Sequence, residues 1–185
     1  MDRATLFLET FFKPELIVRY LPDILSGMAV TIEIAVLVVV AGIALGLALA
    51  LVRSLRSRFV NVPILVFVDV ARAMPPLVLV LIVYFGLPNV GILLPSYAVL
   101  WLVLSLLLAA FAEEIFWAGI LSVRQGQWEA ARSTGLPYAQ TLFHVILPQA
   151  VRNVLPDLVS NTVEVVKLTS LASVVALPEK LYSVS

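Results

Sequence analysis

Charged side chains are scarce in this chain, and where they interrupt apolar sequence they come in sets. Asp69 and Arg72 stand three residues apart, as do Glu164 and Lys167. Each acid precedes its base, the favourable order for pairing on one helix face. Thr169 and Ser170 add hydroxyls just beyond Lys167, and Glu113 and Glu114 are adjacent, so they point to different helix faces. A charge at bilayer depth costs about 2.5–3.5 kcal/mol on insertion scales, so each needs a partner or a task. Two readings are open: the pairs are structural, or they face an aqueous pathway. Thiolate metal sites are excluded because there is no Cys, and the single His144 cannot build a metal cluster alone. No glycine begins G-x-x-x-x-G-K-[ST], so nucleotide chemistry would have to come from elsewhere.

The elements that position these groups are set by composition. The chain is 62% hydrophobic and 13% charged, with a mean hydropathy of +1.07. Soluble domains are about half apolar and roughly a quarter charged. The class is therefore a membrane protein, an all-α polytopic bundle. Net charge is zero and there is no basic stripe beyond a short arginine cluster, so nothing suggests nucleic acid. Residues 34–52 carry no charge between Glu33 and Arg53, and neither do the 40 residues 73–112. About 20 apolar residues cross the hydrocarbon layer, so the longer stretch must turn once, and LPNVGILLPS (87–96) supplies the turn. The first apolar run is too long for a secretory signal, and no small-residue cleavage site follows it.

One transmembrane domain, 1–185, is expected. Residues 1–23 read as an amphipathic interfacial segment. Spans follow over about Leu25–Val52, 60–86, 96–121 and 154–175. Gly42 and Gly46 have the spacing that lets helices approach closely, or are ordinary small residues of a span. Arg53, Arg56 and Arg58 follow the first span, and Arg124, Arg132 and Arg152 lie in the polar segment 124–152. The 87–96 loop has no such charge. By the positive-inside rule the arginine-bearing segments face the cytoplasm and the N-terminus faces out, with Arg3, Lys13 and Arg19 as weak counter-signals. Tyr84 and Tyr97 read as interfacial belt residues.

The polar segment contains EAARSTGLPYAQTLFHVILPQAVR (129–152). A helix is expected through WEAARSTG, with Glu129 and Arg132 paired at i,i+3 and an end at Gly135 and Pro137. A second helix, about Ala139 to Ile146, would offer Leu142, Phe143 and Ile146 to a groove, and Pro148 punctuates the entry to the next span. A helix tied at both ends to spans would transmit force from a cytoplasmic partner. An interfacial loop helix without a partner is the alternative.

Glu129, Ala130, Ala131, Gly135, Leu147 and Pro148 stand at the spacing of the E-A-A, three residues, G, nine residues, I, one residue, L-P pattern. Val145 replaces its Ile. In this the chain resembles the membrane subunits of binding-protein-dependent ABC importers. ARAMPPLVLVLIVYFGLP, GILSVRQGQWEAA and KLTSLASVVALPE resemble the polar amino-acid branch (histidine, glutamine, arginine and opine type). The resemblance implies a type I importer permease fold in a bacterial inner membrane, with no enzyme activity and no cofactor of its own. It implies a cytoplasmic ABC ATPase that binds ATP and seats the 129–148 segment, an outer substrate-binding protein, and a second permease subunit, identical or different. A pathway for a polar amino acid, which carries an ammonium and a carboxylate, would tolerate charges of both signs at Asp69, Arg72, Glu113, Glu114, Glu164 and Lys167. The K-x-T-S-L stretch, with Thr169 and Ser170, would lie near the transport gate. Trp117 stands where relatives often have Arg, which removes a cation expected to pair with Glu113 or Glu114. Glu33 also departs from the expected apolar or amide residue, and sits near the outer interface. The family usually continues for a further span, so a fifth is expected beyond Ser185. The competing readings are an ion-coupled secondary transporter, which predicts an internal inverted repeat that is not evident, and a non-transporting scaffold, which has no need of charges within spans.

Overall fold

The computed structural model describes residues 14–55 and 57–171, and every regular element among them is helical. Helix α1 runs unbroken from Pro14 to Arg53 through Pro22. The expected separate segment at 1–23 is thus, from Pro14 onward, the first turns of the spanning helix. A proline is tolerated in a spanning helix because neighbouring groups and local adjustment accommodate the lost bond. Residues 1–13 lie outside those described.

Ile34, Val38, Gly42, Gly46 and Ala50 recur every four residues along α1, and all are buried. They face α4 (Ser96–Ser122), a helix of 27 residues, about 40 Å long and enough to cross the hydrocarbon layer. The glycines are required there. A Cβ on Gly42 would lie 2.7 Å from Leu108 Cβ, and one on Gly46 would lie 2.6 Å from Ala112 Cβ and 2.8 Å from the Ala109 carbonyl. The small residues therefore form a dedicated contact face. Lipid tails are as apolar as Leu, so close packing rather than escape from water favours this contact. Positions rise together along both helices, from Gly42 against Leu108 to Gly46 against Ala112, so α1 and α4 run parallel.

One reversing pass joins them, and it is not the straight span expected over 60–86. Helix α2 (Arg58–Ala73) and helix α3 (Pro76–Gly86) are bent by 107°. The cause is local. Pro75 and Pro76 supply no N–H, and a residue before proline is driven from the helical region. Met74 accordingly sits at φ −97°, ψ 140° and Pro75 at φ −58°, ψ 135°. The 87–96 turn is as expected, with a 3₁₀ turn at Leu87–Val90 closed by Gly91 at φ 82°.

After the short helix α5 (Gln125–Ser133), the chain forms a single rod. Helix α6 (Tyr138–Thr141) continues through a π-turn (Leu142–Ile146) into α7 (Leu147–Lys167), ending in a 3₁₀ turn at Leu168–Leu171. Pro148 does not interrupt it. In the π-turn the Leu147 N–H reaches back to the Leu142 carbonyl, and Gln149 Nε2 donates to the Val145 carbonyl at 2.7 Å. Helix α7 lies antiparallel beside α4: Gly119 meets Ala150 and Val154, while Val165 joins the cluster of Leu104, Val38 and Val80 at the far level. The helix at the place of the span expected over 154–175 thus begins earlier and is amphipathic, and residues 172–175 lie outside those described. Among the described residues, α1 and α4 alone are long and apolar enough to cross a membrane singly; the bent α2–α3 pair has the composition of a broken span or a re-entrant loop.

Candidate functional site

Two acids, two bases and two rings meet where α1, α2 and α4 converge. Arg53, the last residue of α1, donates from Nη1 to both Glu113 oxygens at 3.0 and 3.1 Å and lies 3.7 Å from Glu114. Its guanidinium sits 4.8 Å from the Trp117 ring centre. Arg72 pairs with Glu114 and lies 5.4 Å from the Phe111 ring centre. Glu113 is fully buried, whereas Glu114 and Arg72 are 39% and 37% exposed. This corrects two expectations. Arg72 does not pair with Asp69, because α2 crosses α4 and the long arginine reaches Glu114. Asp69 is exposed and forms no ion pair among the described residues. A tryptophan at 117 also does not leave the acids without a cation, since Arg53 supplies it and stacks on that ring.

The second feature runs along α7. Lys167 Nζ lies 3.2 Å from Glu164, the i,i+3 pair expected, and both side chains are largely exposed. Asn153, Asp157 and Ser160 continue the same face at intervals of four and three residues, all exposed. Sequence reading missed these three, although their spacing carries the signal. Thr169 is buried and donates to the Val166 carbonyl at 2.8 Å, so it does not open onto this face. The Ser170 side chain lies outside the described residues.

The third feature is the polar segment. Helix α5 ends at Ser133 and the chain turns at Gly135, whose φ of 87° suits a residue without Cβ. Glu129 accepts from Gln125 Nε2 at 2.8 Å and makes no pair with Arg132, which is a correction to the expected pairing. The shorter amide one turn earlier satisfies the carboxylate, and Arg132 is exposed. Ala130 is exposed and Ala131 buried; Leu147 is half-buried and Pro148 exposed. Leu142 and Ile146, expected to fill a partner's groove, instead pack inside this chain against Ile120, Val123 and Ala150, leaving Phe143 half exposed. Trp128 stacks on Tyr138 at 5.4 Å and 23°, and the Tyr138 hydroxyl donates to the Ser54 carbonyl at 2.8 Å. These residues, with Trp117, Glu129 and Arg132, border a cavity of about 1100 Å³. Among the described residues no group of His, Asp and Glu has metal-binding proximity.

The chain is similar to known proteins over most of its length. The chain is 35% identical over 173 residues to the probable amino-acid ABC transporter permease protein YckA of Bacillus subtilis (strain 168), covering 94% of this chain and 76% of that one. It is 36% identical over 158 residues to the L-cystine transport system permease protein TcyB of the same organism, covering 85% and 68%. A crystal structure of an amino acid ABC transporter with histidines superposes with a TM-score of 0.78 at 33% identity, covering 86% of this chain and 75% of that one. Residues 42–183 match the family model of the inner membrane component of binding-protein-dependent transport systems, and the chain belongs to that family.

Proposed function

We propose that this chain is the permease subunit of an ATP-driven amino-acid importer, forming the translocation pathway and docking through α5 on a separate ATPase. The relatives named for amino-acid transport support the substrate class. Helix α5 is the observation that carries the docking reading. It presents Glu129 and Ala130 outward, stops just short of a positive-φ glycine, and is followed by a rod that runs through to the far level of the bundle. ATP binds to the partner, and this chain needs no cofactor. The 124–152 segment faces the cytoplasm and the N-terminus faces out, where a substrate-binding protein delivers the amino acid.

The pathway runs along the polar face of α7, which carries Asp157, Glu164 and Lys167, while Glu114 and Arg72 form a separate exposed pair between α4 and α2. Charges on a face turned away from this chain's own core need water or a second permease subunit opposite them. Glu113, fully buried and doubly held by Arg53, belongs to the framework.

The test is uptake of labelled amino acids into vesicles holding the complete transporter. ATP should be required. Glu129→Lys and Gly135→Leu should each abolish ATP-driven uptake while the subunit still inserts, and Ala130→Cys should cross-link to the ATPase. Uptake that follows a sodium or proton gradient without ATP would reject the reading in favour of a secondary carrier.

A further inference from the structure

Helix α5 packs mainly on the 138–146 segment and makes only slight contact with the spanning helices. Its motion can reach the bundle through the two-residue link to α4 and through the α6–α7 rod. The geometry points to a further route. Tyr138 stands at the head of the rod, stacked on Trp128 of α5, and its hydroxyl donates to the carbonyl of Ser54, just past the end of α1. The last carbonyls of a helix lack partners within it, and Ser54 is only 2% exposed, so water is a poor substitute. Next to it, Arg53 holds Glu113 of α4 by two oxygens and approaches Glu114, which pairs with Arg72 of α2.

We infer that Tyr138 and Arg53 are positioning residues that carry displacement of the α5 docking helix into α1, α4 and α2. The inference rests on the docking reading of α5 and adds to it which contacts pass the motion on. A single Arg53 nitrogen meets both Glu113 oxygens, and such a charge-assisted contact ties the end of α1 to α4. With Glu113 fully buried, Arg53 cannot shift without moving α4 or breaking the pair. Tyr138 thus ties α1 to the movement of the rod across the mouth of the cavity.

The experiment uses the complete transporter in vesicles and reads amino acids moved per ATP hydrolysed, alongside cross-linking from Ala130→Cys to the ATPase. Tyr138→Phe keeps the ring on Trp128 and removes only the hydroxyl. It should leave the cross-link intact and lower the transport-to-hydrolysis ratio roughly threefold to tenfold, the equilibrium worth of one hydrogen bond. Arg53→Lys keeps the charge but loses the planar guanidinium that lies on the Trp117 ring and should lower the ratio similarly. Because both act on one route, the double variant should be no worse than the more severe single one. A purely structural role predicts less assembled transporter at an unchanged ratio, and that outcome overturns the inference. So does a Tyr138→Phe chain that fails to assemble, since the hydroxyl is assigned to transmission. Absence of the Ala130 cross-link in the parent transporter overturns the docking reading itself, and this inference with it.

Discussion

The two arginine–glutamate contacts differ in what their loss should cost. Arg53 faces a carboxylate with no exposure, and removing one partner of a buried pair typically costs about 3–5 kcal/mol. Arg72 and Glu114 are more than a third exposed, where a pair contributes roughly 0–1 kcal/mol. Arg53→Ala should therefore lower the unfolding temperature in detergent far more than Arg72→Ala; equal shifts would mean that Glu113 is hydrated. Glycines give a second contrast. Gly46→Ala forces a methyl against Ala112 and the Ala109 backbone, and overpacking of this kind costs on the order of 1–3 kcal/mol. Gly27 on the same helix has nothing within 4 Å of a built Cβ, so Gly27→Ala should be neutral or stabilising by up to about 1 kcal/mol. At this scale residue types were legible in the sequence and partners were not. Glu164 and Lys167 pair because i,i+3 geometry is local, whereas Arg53 and Glu113 lie 60 residues apart and meet only once α1 packs on α4.

Helix positions followed from apolar runs, but their shapes needed the backbone chemistry of proline. The 60–86 stretch has the length and composition of one span, and periodicity alone gives no reason to bend it. The Pro75–Pro76 pair decides otherwise. Replacing both with alanine restores two N–H donors and frees Met74 to be helical, so α2 and α3 should straighten. Spin labels at Val62 and Phe85 should then move apart by on the order of 10 Å, judged from the helical rise; an unchanged distance would show that packing on α4 holds the elbow. Pro148 teaches the converse. It reads as a break, yet the π-turn before it and the Gln149 side chain take up the bonding it disturbs.

For the whole molecule, the membrane class and the family were legible because charge-free runs and the E-A-A…G…L-P spacing survive without knowledge of contacts. Helix α7 was harder to place. Arg152, Asp157, Glu164 and Lys167 dilute its hydropathy, and its membership of the bundle comes from its antiparallel seat on α4. A face so charged should meet its counterpart in a second permease subunit. Ser160→Cys should yield a disulfide-linked permease dimer under oxidation, while a cysteine at exposed Val36, on the face of α1 opposite its contact with α4, should not. The π-turn has a bearing on how this rod tolerates change in length. A π-turn holds one residue more than an α-turn, so the side chains above and below it are out of phase by about 100° relative to an unbroken α-helix. Deleting exposed Phe143 or His144 would let that turn close into α geometry while both flanks keep their azimuth. Deleting Val159 instead would swing the charged stripe toward α4, so the rod has one place where its length can drift without scrambling which side chains look inward.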